Sequence, residues 1–231
     1  DGAPKNLSQI ILGDTKIAQA LVDHPAVALV SATGSTRMGR AVAPRVAARF
    51  GKSLLELGGN NAVIVSDKAD LNLAINAIVF GAVGTAGQRC TTTRRVIAHK
   101  KIYAKLCTEL QKTYAVIAAK KIGNPLSKNT LVGPLIDGAS FSAMQIALRQ
   151  AHNEGGEVLF GKRVLKSKYP DAYYAEPALV KIKHQTDIVR HETFAPILYV
   201  MPYMTLDEAL QIHNDVPQGL SSSIFTSDLR E

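Results

Sequence analysis

The chain has 231 residues, 46% of them hydrophobic, enough for one to two domains with a sizeable core. Its two cysteines form no CxxC pair and its six histidines are scattered singly, which argues against a disulfide framework or a metal site and favours a reducing compartment: the cytoplasm or, in a eukaryote, the mitochondrial matrix. The formal charge of +8 sits on dispersed pairs such as Lys100-Lys101 and Lys120-Lys121, with 6% aromatic residues and no Trp, and so reads as a solvated surface and not a nucleic-acid face.

No signal-peptide pattern opens the sequence, which begins at Asp1 and not Met. The first unit, AVALVSATGSTRMGRAVAPRVAARFGKSLLELGGNNAVIV, reads as a strand over 27–30, a glycine turn over 34–39, a helix over 36–50 closed by Gly51, and a strand over 53–57. Pro44 is the awkward residue inside that helix. GSTRMG follows a strand and opens a helix, where free N–H groups and the helix dipole favour a phosphate. There Gly34 permits close approach and Ser35 can donate a hydrogen bond, although the spacing is not GxGxxG and a tight turn without ligand fits equally. Glu56 stands 22 residues after Gly34 and has three readings: a ribose-binding acid, a general base whose pKa is raised by its leucine neighbours, or an exposed strand-end carboxylate.

The uncharged run 71–88 just reaches the length of a membrane span, but its asparagines, Thr85, Gln88 and glycines make a buried helix of a soluble protein the better reading, with Leu71, Ile75, Val79 and Ala82 at helical spacing. Gly84 and Gly87 loosen its end, which places Cys90 on a loop. Cys90 lies in AGQRCTTTRR beside Arg89, Arg94 and Arg95, and reads either as a nucleophile favoured by a nearby cation or as a small buried residue. Cys107 shares an apolar helical stripe with Tyr103, Leu106, Leu110 and Tyr114, and reads as structural. A helix over 141–153 ends at Gly155-Gly156, followed by strand-like EVLF, YYAEPALVKI and ILYVM. Thr205 and Glu208 have capping-box spacing in TLDEALQIHND, and after QGLSSSIFT Ser227 reads as the N-cap of a helix with four residues left. The alternation of strands and helices gives an α/β fold on a parallel or mixed sheet, with no internal repeat.

Taken in order, GSTRMG, LELGG, GQRC and ETFAPIL resemble the aldehyde dehydrogenase superfamily over almost the whole chain. The longer strings LLELGGNNA, VGTAGQRCTTTRR, HETFAPILYV and QGLSSSIFT are most similar to its antiquitin branch, the α-aminoadipic semialdehyde dehydrogenases of lysine breakdown. The resemblance implies a three-layer open sheet, with residues 1–57 the later part of an NAD-binding Rossmann-like domain and 58–231 most of a catalytic domain. It implies that Cys90 is the catalytic thiol and Glu56 the general base. Gly34, Ser35, Thr36 and Gly39 would hold the pyrophosphate, the Leu57 backbone the carboxamide, and Glu192 the ribose, with Phe194 near the nicotinamide. Arg89 and Thr91 would hold the carboxylate end of a small aldehyde substrate. The implied cofactor is NAD, with NADP left open, and the implied assembly is a homodimer or homotetramer.

Two departures stand out. Ala32 replaces the family's phenylalanine before TGST, and the family's oxyanion-hole asparagine, adenosine-side lysine and oligomerisation strand match nothing in this sequence, which covers about the middle half of a family member. Exposed sheet edges are then expected in the nucleotide domain, with weak NAD binding and little activity in the chain alone. The competing readings are a basic nucleic-acid-binding α/β module and a family member that has lost catalysis.

Overall fold

The computed structural model describes residues 2–231. The chain divides into two compact units, Asp1–Gly58 and Gly59–Glu231.

The first unit contains α1 (Thr15–Asp23), β1 (Leu29–Thr33), α2 (Thr36–Ala48) and β2 (Lys52–Glu56). Asp14 caps α1, its carboxylate accepting from the Lys16 and Ile17 N–H groups. β1 begins two residues later than expected because the Val27 N–H donates back to the His24 carbonyl, keeping that segment in a turn. β1 and β2 pair in parallel, from Leu29 beside Lys52 to Thr33 beside Glu56. Pro44 stays inside α2. It and Arg40, whose carbonyl the proline leaves without an N–H donor, are both exposed residues.

The end of α2 corrects the sequence reading. The Gly51 N–H donates to Val46 O and the Phe50 N–H to Ala47 O, and Phe50, not Gly51, takes the left-handed conformation at φ 58. A Cβ at Gly51 would crowd side chains only, lying 2.8 Å from the Arg49 guanidinium and 3.0 Å from the Val46 side chain. Val22 and Val46 are the buried hydrophobic residues of this unit, while Leu29 and Leu54 on its strands are more than half exposed.

The second unit runs β3 (Asn61–Val65), α3 (Leu71–Val83), a 3₁₀ turn (Gly84–Gly87), β4 (Thr93–His99), α4 (Lys100–Lys120), α5 (Gly138–Asn153), β5 (Glu157–Leu159), β6 (Arg163–Val164), β7 (Tyr174–Ala175), β8 (Ala178–Lys181), α6 (Asp187–Arg190), β9 (Ile197–Tyr203), α7 (Leu206–Asn214) and β10 (Ser222–Phe225). Six strands form one sheet in the order β10-β3-β4-β9-β8-β5. All neighbours in it are parallel except the β5–β8 pair. Every residue of β3 is buried, as are the interior of β4 and all of β9 but Pro202. Burial on both faces makes this sheet the middle of three layers. α3 and α4 pack on each other and on β4 and β9, while α7 packs on β3, β4 and β9.

Of the expected apolar stripe of α4, Leu106, Cys107, Leu110 and Tyr114 are buried and Tyr103 is partly buried; Ile117 extends the buried face by a turn. Each large aliphatic side chain among them contributes about 1.5–3 kcal/mol relative to exposure. α3 stops at Val83 with Gly84 as its C-cap, where the sequence reading has the glycines loosen its end. Among the described residues, no helix is long and apolar enough to cross a membrane. YYAEPALVKI breaks into β7 and β8, because Pro177 between them has no N–H to give a ladder. The Thr205 cap of α7 is present, with the Glu208 carboxylate accepting from the Met204 N–H one residue before the usual partner. Ser227 starts no helix. Its N–H donates to the Lys68 carbonyl, Lys68 pairs with Asp228, and Glu231 accepts from Ser66 and Thr226, so residues 227–231 are held as a turn against the loop after β3.

Candidate active site

In the first unit, β1–β2 pairing brings the GSTRMG turn to Glu56 and Leu57. The Gly34 N–H donates to the Glu56 carbonyl at 2.9 Å, and the Glu56 side chain is exposed. Ser35 is the N-cap of α2, its Oγ accepting from the Met38 N–H at 3.1 Å. The first-turn N–H groups of Thr36 and Arg37 have no carbonyl four residues back and remain the available anion donors. Gly39 is a packing residue, since a Cβ there would meet the Leu57 side chain at 2.7 Å. Gly34 is less constrained than its motif suggests: the three atoms nearest to a Cβ there all belong to the flexible side chain of Met38.

In the second unit, the segments that precede β3, β4, β9 and β10 all arrive at the amino ends of parallel strands, and Cys90 lies there. Its loop begins with three residues in left-handed conformations: Thr85 (φ 53), Ala86 (φ 52) and Gly87 (φ 68). At Gly87 glycine is required, because a Cβ would lie 2.4 Å from the Ala195 carbonyl carbon and oxygen. The Gln88 amide ties the loop to the segment after α4, donating to Pro134 O at 3.2 Å and accepting from Ile136 N–H at 2.9 Å. Arg89 and Thr92 bond reciprocally: the Arg89 N–H donates to Thr92 Oγ1, and the Thr92 N–H to Arg89 O, both at 3.1 Å. Buried Asn61 donates to the carbonyls of both Cys90 and Thr92 at 2.8 Å and accepts from the Ser221 N–H. Cys90 is a free thiol on a backbone fixed from both sides. Thr91 and Arg89 are both exposed, and among the described residues no acid pairs with Arg89.

Glu192 and Phe194 come to the same edge. Glu192 Oε1 accepts from the Gly59 N–H at 3.1 Å and from Arg94 Nη2 at 3.3 Å. Phe194 is half exposed, its ring centroid 5.4 Å from the Arg94 guanidinium carbon. Gly59 fits closely, a Cβ there falling 2.6 Å from the Cys90 carbonyl oxygen.

Sequence reasoning missed the residues that assemble this edge. Arg94 and Arg95, read as flanking charge, are both buried. The Arg94 guanidinium donates to Gly59 O at 3.2 Å, Arg89 O at 3.1 Å and Thr193 O at 2.7 Å, as well as to Glu192. Burial pulls its pKa down and the Glu192 carboxylate opposes the shift. Arg95 donates to Asn60 O, Ile212 O, His213 O and the Gln185 amide, and burial lowers its pKa to about 10, with Asp215 acting against it. The available signal was the pattern TRRVIAH: charges inside an apolar parallel strand have to be satisfied internally.

The other thiol is placed differently. Cys107 lines a cavity of about 880 Å³ at the carboxyl edge of the sheet with Tyr103, Lys181 and Tyr203. Burial pushes its pKa up, while the neighbouring Tyr103 hydroxyl pulls partly the other way. Among the described residues, no three of His, Cys, Asp and Glu group closely enough for a metal ion.

A partly exposed thiol on a fixed loop, linked through one buried arginine to a carboxylate and an exposed aromatic ring, coincides with a match to the aldehyde dehydrogenase family model over residues 1–231. The chain belongs to the aldehyde dehydrogenase family. It is 44% identical over 224 residues to aldehyde dehydrogenase family 7 member A1 of Malus domestica, covering 97% of this chain and 43% of that one. To the α-aminoadipic semialdehyde dehydrogenase of Bos taurus it is 44% identical over 227 residues, covering 98% and 41%. Its fold is that of aldehyde dehydrogenase structures: betaine aldehyde dehydrogenase from Staphylococcus aureus, in complex with NAD+, superposes with a TM-score of 0.90 at 30% identity over 95% of this chain and 44% of that one. The chain thus spans less than half the length of these relatives.

Proposed function

We propose that this chain is the central part of an NAD-dependent aldehyde dehydrogenase that oxidises a small carboxylate-bearing aldehyde, α-aminoadipic semialdehyde, to its acid. In this reading residues 1–57 belong to the dinucleotide-binding domain and 58–231 to the catalytic domain of a homodimeric or homotetrameric parent. The observation that carries it is the Cys90 loop, with a free thiol next to Arg89 and a short bonded path to Glu192.

The residues suit a dinucleotide. Thr36 and Arg37 offer open first-turn N–H groups for a pyrophosphate, with Gly34, Ser35 and Gly39 shaping that turn and the Leu57 backbone assigned to the carboxamide. Glu192 has one oxygen fixed by Gly59 and Arg94, which leaves Oε2 for ribose hydroxyls, and Phe194 presents a half-exposed ring. When bound, NAD supplies the hydride acceptor. Cys90 sulfur, as thiolate, forms a C–S bond to the aldehyde carbon, giving an oxyanion. After hydride loss the acyl group remains on Cys90 as a thioester. Glu56 takes a proton from water, whose oxygen attacks the thioester carbon; the C–S bond breaks, the sulfur leaves as thiolate and the acid is released. Arg89 pairs with the substrate carboxylate and Thr91 adds a hydroxyl.

The decisive experiment measures NADH formation from α-aminoadipic semialdehyde by the full-length parent, wild type and Cys90→Ser. The variant should lose activity by at least about 1,000-fold, as expected when a nucleophile is removed; a variant near wild-type rate would sink the reading. Arg89→Met should raise KM for this aldehyde and leave an uncharged aldehyde of similar length unaffected. The 231-residue chain alone should show little activity, because its β1 and β2 faces are largely exposed.

A further inference from the structure

We infer that Arg94 is a positioning residue that couples occupancy of the Glu192 carboxylate to the placement of the Cys90 loop, an inference that rests on the cofactor role proposed above for Glu192. Arg94 is 2% exposed and joins three segments that are distant in sequence. Its Nε holds Gly59, whose own N–H holds Glu192 Oε1. Nη1 holds the Thr193 carbonyl at 2.7 Å, next to Glu192. Nη2 is shared between Glu192 Oε1 at 3.3 Å and the carbonyl of Arg89 at 3.1 Å, and Arg89 immediately precedes the thiol.

One planar group therefore reads both ends. A ligand hydroxyl bonding Glu192 withdraws charge from the carboxylate and weakens its hold on Nη2, which then shifts toward the Arg89 carbonyl. A planar fork bonded on all its edges moves as a unit, so the carbonyl shift is passed to Cys90. Lysine at this position keeps the charge and loses the fork: its single nitrogen cannot span Gly59, Thr193 and Arg89 together. A mere core strut would require only that the cavity be filled and the charge satisfied.

The test uses the full-length parent and two readouts independent of turnover, NAD affinity and the rate of Cys90 alkylation by iodoacetamide with and without saturating NAD, in wild type, Arg94→Lys and Arg94→Ala with added guanidinium. In wild type, NAD should change the alkylation rate several-fold. Arg94→Lys should bring that ratio to about one and, by reciprocity, tighten NAD binding several-fold, because the Arg94–Glu192 bond that NAD has to weaken is already lost. Millimolar guanidinium should restore the ratio in Arg94→Ala, a result that also shows the variant to be folded. Retention of the wild-type ratio and affinity in Arg94→Lys would overturn the inference. So would a wild-type ratio of one alongside normal NADH production, which leaves the functional reading standing. Absence of both NAD binding and NADH production in wild type would overturn the functional reading and this inference with it.

Discussion

Replacing Gly87 by alanine asks whether the Cys90 loop is built on a backbone contact that no side chain tolerates. The glycine has φ +68, a conformation that costs an L-residue about 1–2 kcal/mol. The added methyl would lie 2.4 Å from the Ala195 carbonyl group and 2.5 Å from the Pro196 nitrogen. These are main-chain atoms at the start of β9 and cannot rotate away, so overpacking adds about 1–3 kcal/mol. The sum, about 2–5 kcal/mol, is a large share of the roughly 5–15 kcal/mol that holds a typical domain together. Gly84, three residues earlier, is the internal control: a methyl group added there would meet no atom within 4 Å, and its φ is −54. Alanine there should be neutral or stabilising by about 0.4–1 kcal/mol, through the unfolded chain. Urea unfolding followed by tyrosine fluorescence reads the second unit alone, because there is no Trp and all seven tyrosines lie between residues 103 and 203. Equal midpoints for Gly87→Ala and wild type, or equal damage from the two alanines, would refute the reasoning.

Three further outcomes are expected. Phe50→Gly should stabilise the end of α2 by about 1 kcal/mol, since Phe50 is 98% exposed and left-handed, and should slow hydrogen exchange of the α2 amides; unchanged exchange would show that the conformation is unstrained. Iodoacetamide near neutral pH should label Cys90 well before Cys107, whose thiol is buried and pushed up in pKa, and equal rates by peptide mapping would count against the difference in placement. The Asp215 carboxylate is held below its ordinary range mainly by Arg190, with burial opposing and Gln185 assisting. A depressed folded pKa contributes stability above the unfolded value of about 3.9 and loses it as pH falls through the folded value. The gap in unfolding midpoint between wild type and Asp215→Asn should therefore be present at about pH 6 and shrink below about pH 4; a gap independent of pH would contradict this.

What the sequence could reveal divides by the range of the interactions involved. α3 and α4 are readable from spacing alone, since Ile75, Val79 and Ala82, and Leu106, Leu110 and Tyr114, bury one face of each helix. The Thr205 cap and the loop position of Cys90 depend on residues only a few places away. The end of α2 escapes such reading because propensity favours glycine as the left-handed residue, whereas the Phe50 N–H to Ala47 O and Gly51 N–H to Val46 O bonds put that conformation on Phe50 and leave Gly51 one position later. Ser227 fails for another reason: its expected helix competes with Lys68 and Ser66, 160 and 165 residues away from the Asp228 and Glu231 side chains they take. Arg94 is hidden in the same way, with partners 35 and 99 residues distant. A resemblance could name Cys90 and Glu192, yet it gave no hint of the side chain that joins them.

The position of that side chain has a physical cause. In parallel sheets ligands usually gather at the carboxyl ends of strands, where helices begin and their free N–H groups point outward. Cys90 and Glu192 lie at the opposite edge, where incoming segments bring carbonyl groups with no helix N-terminus to meet them. Those carbonyls need donors, and a buried carbonyl without one costs about 1–3 kcal/mol. Adjacent arginines at the start of β4 meet the need, because neighbouring residues on a strand point to opposite faces and each fork carries several N–H groups. Arg94 serves the carbonyls of Gly59, Arg89 and Thr193, and Arg95 those of Asn60, Ile212 and His213. An arginine pair buried at the amino end of a central parallel strand is thus what holds the Cys90 loop at this edge of the sheet.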